Sequence, residues 1–391
     1  MRSDLDADVA VVGLGALGSA AAWQLARRGQ RVIGLERFEL GHSRGASHGD
    51  SRIIRLSYHT PGYVRNAREA YADWAGLEAD SGTRLVLRCG GIDVFPEGAA
   101  IEAESYLTSL AAEAVPVDVL DAEESRRRWP GVAVPDGATV LRQAQTGIVP
   151  AGVGAATMQR QARAHGAELR APAPVEALRE VPDAVEVRLS GGEVLRAGRV
   201  VVTADAWTNQ VFAGLGVSFP LTVTKEHAVH FAVDAARSAD HAPGVFPVWI
   251  WMDDPSYYGF PSYGEPSVKV GQDCGGEPID PDANDGAPDP EYVDRLRRFV
   301  RARIPGVGEV VRVTTCQYTL TPDRDFVVGF VPGHARVVVG LGAAHGFKFA
   351  PWFGRVLADL AVIGTTDSDI AAFHPEREAL RDPAEPARWL V

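Results

Sequence analysis

Residues 8–36 read DVAVVGLGALGSAAAWQLARRGQRVIGLE, and this stretch decides the fold class. Asp8 to Gly13 is a short apolar, β-branched run that predicts a buried strand. Ser19 to Gly29 has helical period and stops at glycine, and Arg31 to Leu35 predicts a second buried strand, which ends in Glu36. Between the first strand and the helix stand Gly13, Gly15 and Gly18, with Ala16 and Leu17 between the last two. Such glycines permit a tight turn, close approach of the backbone to a pyrophosphate, and close packing of helix on strand. The helix N-terminus then faces the phosphates. A carboxylate at the end of the second strand accepts hydrogen bonds from ribose hydroxyls and repels a 2′-phosphate. Strand, turn, helix and acid together predict an ADP-containing dinucleotide, NAD or FAD rather than NADP.

After Glu36 the pattern of alternating strands and helices stops. Gly41 to Arg55 is a loop dense in Gly, Ser, His and Arg. Helical stretches follow around Val64 to Ser81 and Ile101 to Ala114. Ala184 to Val202 predicts a hairpin turning at Gly191-Gly192 and then a buried strand. Phe246 to Gly271 is aromatic and β-branched with turn residues between, the pattern of antiparallel strands. A Gly/Pro/Asp-rich loop, Gly271 to Pro290, leads into a charged amphipathic helix. The last third repeats the opening logic: a strand at Arg336 to Gly340, the turn GLGAAHG at residues 340–346, and a helix from Pro351. A dinucleotide domain split in sequence follows, with a substrate domain inserted. The expected fold is α/β, a discontinuous Rossmann-type FAD-binding domain (1–85, 145–220 and 320–391) beside a substrate domain on a mixed, largely antiparallel sheet (86–144 and 221–319).

Composition narrows the function. With 391 residues, 46% hydrophobic and 23% charged, the chain buries a full core. A net charge of −12 disfavours nucleic acid and anionic membrane surfaces as partners. No stretch reads as a membrane span or as a signal peptide, and the C-terminal RWLV is no targeting address, so a cytoplasmic protein is expected. Cys89, Cys274 and Cys316 are too few for a disulfide framework. Of 39 basic residues only Lys225, Lys269 and Lys348 are lysine. Lys269 and Lys348 sit among apolar and glycine residues, where a compact charge with a tunable pKa serves a purpose that guanidinium does not. Asp280, Asp282, Asn284 and Glu291 have calcium-loop spacing, but Asp285 replaces the needed glycine. Arg126 to Arg128 read as a solvated helix end, and His42, His48 and His345 lack metal-ligand spacing, so no metal is expected.

The segments GLGALG, HGDSRIIR (His48 to Arg55), RWPG (Arg128 to Gly131), YYGFPSYG (Tyr257 to Gly264), VKVG (Val268 to Gly271), CQYTLTPD (Cys316 to Asp323) and HGFKFAP (His345 to Pro351) occur in one order along the chain. In these the sequence resembles the monomeric sarcosine oxidase and N-methyltryptophan oxidase family, within the D-amino acid oxidase superfamily. The resemblance implies an FAD enzyme that oxidises the C–N bond of a secondary amine or amino acid to an imine, with molecular oxygen as acceptor and hydrogen peroxide as product, acting as a monomer. It implies that Cys316 joins the flavin covalently, that Lys269 sits where oxygen is reduced with Arg52 adding to the positive field, and that Tyr258 and Tyr318 border the substrate. Arg55 and Lys348 correspond to the pair holding a substrate carboxylate. Cofactor contacts are implied for Gly13, Gly15, Ala16, Leu17, Gly18, Glu36, Arg37, Ser47, His48, Arg52, Val175, Gly342, His345, Gly346, Phe347 and Lys348.

Three positions depart from the family pattern. Asp273 stands where a histidine borders the substrate, and would repel a carboxylate or attract a second amino group. Trp249 replaces a smaller residue and is expected to narrow the pocket or stack on an aromatic substrate. Both argue against sarcosine itself and for a larger or more basic amino acid or N-methyl amino acid; the expected substrate is of the N-methyl amino acid or cyclic imino acid type. Asp205 replaces a glycine near the FAD. The alternatives are an FAD dehydrogenase passing electrons to another acceptor, a flavin oxidase of specialised metabolism, a non-catalytic flavin binder, and an NAD-dependent dehydrogenase.

Overall fold

The structure is a computed structural model that describes residues 5–382. Ala7–Val12 is buried along almost its whole length and pairs in parallel with Val32–Leu35 on one side and Val194–Val202 on the other. Parallel strands are covered on both faces, which is why this run is continuously apolar. The helix Ala16–Arg27 follows the glycine turn and is itself largely buried, with helices Ala151–Ala164 and Ala350–Val362 packed beside it. Gly354 lets the last of these close in: a Cβ there would lie 2.6 Å from the Ala20 backbone. The C-terminal third returns to the same sheet, since Val337–Leu341 pairs in parallel with Val194–Val202. The hairpin turning at Gly191-Gly192 is Ala184–Leu189 with Val194–Val202, and Val175–Val181 adds a further antiparallel strand beside Ala184–Leu189.

A second eight-stranded sheet runs in the order Val307–Leu320, Thr222–Val233, Ser267–Gln272, Tyr257–Phe260, Val248–Trp251, Gly91–Phe95, Thr139–Gln143, Asp118–Leu120. Its neighbours are antiparallel except for Val248–Trp251 with Gly91–Phe95, so the sheet is mixed as expected. One face carries Val229, Phe231, Trp249, Trp251, Val268 and Val270, and packs on Tyr292, Leu296 and Val300 of helix Pro290–Arg303. Side chains alternate along a strand. The opposite face therefore presents Ala228, His230, Ile250, Tyr258, Lys269, Cys316 and Tyr318, which line a cavity.

Two long strands here, Thr222–Val233 and Val307–Leu320, go beyond the expectations. Their polar residues, such as Glu226, His227, Arg312 and Gln317, hide the strand period. The Gly41–Arg55 loop ends in a strand, Arg52–Ile54, that joins Gly147–Val149 and Leu87–Arg88 in a small third sheet. In the acidic loop after Gly271, Asp282 accepts from Trp207 Nε1 at 2.8 Å and pairs with Arg37 at 2.9 Å. Arg127 and Arg128 are solvated and pair with Glu124. No helix among the described residues is long and apolar enough to cross a membrane. The RWLV segment and the first four residues lie outside the described residues.

Candidate active site

Three cavities share walls and run from the glycine-rich turn to the face of the second sheet. The largest, about 510 Å³, is lined by Gly13, Gly15, Glu36, Arg37, Ser47, His48 and Val175. A smaller one holds Gly15, Ala16, Leu17, Gly342, Gly346 and Phe347. The third, about 100 Å³, holds Arg52, Arg55, Asp273, His345 and Lys348 together with Tyr258, Lys269, Cys316 and Tyr318. The first two share Gly15 and Ser47; the last two share Arg52, Tyr318 and Phe347. An elongated ligand fits such a path.

The residues present fit a dinucleotide. Gly13 has φ +89°, and a Cβ there would lie 2.6 Å from the Thr203 carbonyl oxygen. Gly18 lines none of these cavities; a Cβ there would lie 1.8 Å from the Gly13 carbonyl oxygen, so its role is helix-to-strand packing. Gly15 has no side chain to cap the helix that begins after it, and the first N–H of that helix, on Ala16, donates to the Ser47 hydroxyl at 2.9 Å, so Ser47 stands beside the helix N-terminus on the cavity wall. Glu36 accepts from Leu14 N at 2.7 Å and Phe38 N at 3.1 Å. Burial pushes its carboxyl up, but those bonds and His42 hold it below the usual range.

At the far end Lys269 Nζ donates to the Ser51 carbonyl at 2.8 Å and to its hydroxyl at 3.2 Å. Arg52 donates to the same carbonyl at 2.9 Å, so the loop is wrapped around two cations. Burial, and then Arg52, pushes the Lys269 ammonium down to about 7. Burial, and then Arg55, does the same to Lys348. His48 is pushed down to about 4, again mainly by burial. Arg55 is buried, 3.8 Å from Asp93 and over the Tyr58 ring. His345 Nε2 lies 3.0 Å from the Arg324 carbonyl, in the turn where Ala343 and Ala344 both have positive φ.

Three expectations are revised. Cys316 faces the cavity, but burial pushes its thiol up to about 11 despite Arg52 and Lys269, so the protein alone does not activate it. Trp249 is not a cavity residue: it is 1% exposed and stacks on Phe299, because strand alternation turns Ile250 to the cavity instead. Asp273 does line the cavity, but not as a bare acid. Arg324 Nη2 donates to it at 2.9 Å, and both are buried. Arg324 was not anticipated. It follows the CQYTLTPD segment directly, yet in a chain with this much arginine its identity carries no signal. Its left-handed φ of +63° and its pairing are visible only in three dimensions.

Residues 8–360 match the family described as FAD dependent oxidoreductase. The chain belongs to this family. Among relatives of this FAD dependent oxidoreductase, a monomeric sarcosine oxidase of Streptomyces avermitilis is 35% identical over 390 residues, covering 95% of this chain and 98% of that one. An N-methyl-L-tryptophan oxidase of Yersinia pestis is 31% identical over 374 residues, covering 94% and 98%. The solved structure of NikD, an unusual amino acid oxidase essential for nikkomycin biosynthesis, superposes with a TM-score of 0.83 at 29% identity, covering 98% of both chains. FAD is thus the dinucleotide of the family, and the NAD alternative falls away.

Proposed function

We propose that this FAD dependent oxidoreductase oxidises the C–N bond of a secondary amine or amino acid, of the N-methyl amino acid or cyclic imino acid type, and yields an imine and hydrogen peroxide. The observation that supports this reading is the convergence of buried Arg55 and half-buried Lys348 on the cavity that also holds Lys269 and Cys316. Two cations lining one small cavity suit a carboxylate. FAD, when bound, supplies the two-electron acceptor and returns the electrons to oxygen. The side chains do the rest. Arg55 and Lys348 orient the substrate, and Tyr258 and Tyr318 border it. The surrounding cations disfavour a protonated amine, so the neutral form with its lone pair is bound without a dedicated base. Lys269 and Arg52 stabilise negative charge as it develops on oxygen. Cys316 tethers the cofactor through a thioether. Residues 1–85, 145–220 and 320–391 carry the cofactor in this reading, and 86–144 and 221–319 the substrate.

Asp273, neutralised by Arg324, offers a polar wall to a substrate larger than sarcosine. The test is peroxide formation across a panel of N-methyl amino acids, cyclic imino acids, D-amino acids and sarcosine. A bulkier secondary amine is expected to give the highest kcat/KM, and faster turnover of sarcosine than of every other compound overturns the substrate assignment. Fast dye reduction with slow peroxide formation in air would mark a dehydrogenase instead.

A further inference from the structure

Asp205 has φ +48°, in the left-handed region that favours glycine. It lines both the large cavity and the smaller one next to it, and it shares both walls with Gly15, Ser47 and Thr203. Thr203 is tied to the glycine turn, since its N–H donates to the Val12 carbonyl at 2.8 Å and its hydroxyl to the Gly13 carbonyl at 2.9 Å. Asp205 therefore faces the space that the phosphates occupy when a dinucleotide lies on that turn. From the second sheet, buried Thr319 lines the smaller cavity with Asp205, and its hydroxyl is the polar neighbour of the Asp205 carboxyl. Asp205 has no ion pair among the described residues. A carboxylate there would meet a pyrophosphate of the same sign with no countercharge of its own.

We propose that Asp205 contacts the phosphate–ribityl stretch of bound FAD as a neutral acid and donates a hydrogen bond to it, so that the protein holds its cofactor more tightly as pH falls. The inference rests on the family's FAD. Burial already pushes the Asp205 carboxyl up to about 6, and a phosphate alongside raises it further. The other titratable groups lining these two cavities are Glu36, Arg37 and His42 after the second strand, His48 and Arg52 in the loop, Glu176 in the strand Val175–Val181, and Tyr318 on the second sheet, beside which Cys316 interacts with Asp205 electrostatically from the adjoining cavity. All of them remain in an Asp205→Asn variant, so only the difference between two pH profiles belongs to Asp205.

The experiment uses full-length Cys316→Ala holoprotein, in which FAD exchanges freely, and reads the fluorescence of FAD released on dilution from pH 5.5 to 8. With Asp205 present, the Kd is expected to weaken by about fivefold or more between pH 6 and pH 8 beyond any change in the Asp205→Asn variant. The sign follows from linkage: the protonated form binds, so affinity is lost as pH rises through the pKa of the complex. Asp205→Gly, which also relieves the left-handed backbone, is expected to follow the Asn variant. Parallel profiles for Asp205 and Asp205→Asn overturn the proposal and leave the FAD reading intact, as does tighter binding at high pH. Cys316→Ser serves if Cys316→Ala fails to fold. A native chain that purifies without flavin overturns both.

Discussion

At the scale of single residues, burial sets the chemistry of the site before any ligand arrives. The Cys316 thiol is held protonated, so formation of a thioether has to draw on the cofactor and on Arg52 and Lys269 rather than on a preformed thiolate. Acid precipitation of the native protein is expected to leave its yellow colour in the pellet, whereas Cys316→Ala releases it; colour released from the native protein would remove the tether. Lys269 titrates at about 7, so its charge is present below neutrality and lost above it. Reoxidation of the reduced enzyme by oxygen is therefore expected to slow as pH rises through about 7. Lys269→Met should abolish that profile and slow reoxidation by about 10²-fold or more, the scale of losing a preorganised charge. Amine oxidation should change far less. Stopped-flow mixing with oxygen and, separately, with substrate measures both halves.

At the scale of elements, the period of two divides each strand of the second sheet between core and cavity. Trp249 falls on the core side, and Gly259 makes room for it: a Cβ at 259 would sit 2.2 Å from the Trp249 ring. Gly259→Ala is expected to destabilise the protein by about 1–3 kcal/mol through overpacking, read as a lower Tm. Trp249→Phe should also lower Tm while leaving KM within about twofold, and a large rise in KM would return Trp249 to the substrate site. Gly271 plays the matching part for the cavity face, since a Cβ there would lie 2.5 Å from the Tyr258 hydroxyl. Gly271→Ala is expected to displace Tyr258 and raise KM. Both glycines stand in apolar strands where sequence reading assigns them no partner.

At the scale of the whole molecule, buried histidines tie stability to pH. Burial pushes His48, His227 and His230 down to about 4 from an ordinary 6.5. The unfolded chain binds protons at these positions below pH 6.5 while the fold does not, so stability falls as pH drops from 6.5 toward 4. His59 and His345 are lowered in the same way, while acids raised by burial, Asp205 to about 6 and Asp73, Asp93, Glu226 and Asp325 in the same direction, work in the opposite sense. A Tm several degrees lower at pH 4.5 than at pH 6.5 is expected, and His227→Gln should flatten that fall. The same burial explains what was legible in advance. The glycine turn, the helix after it and Glu36 were readable because their roles depend on neighbours close in sequence. Lys269 and Lys348 stood out as two of only three lysines, set among apolar and glycine residues, but their roles, and Cys316 altogether, were readable only through family resemblance, because a lone cysteine has no local signature. By itself the sequence determined a dinucleotide-binding α/β chain with a mixed second sheet, since periodicity and turn glycines are local physics. Only the tertiary structure decided that Arg324 neutralises Asp273, that Trp249 turns from the cavity and Ile250 toward it, and that Asp205 lines the cavities beside the glycine turn. Those facts depend on strand register and on contacts between residues about 50 to 200 positions apart, which no local pattern encodes.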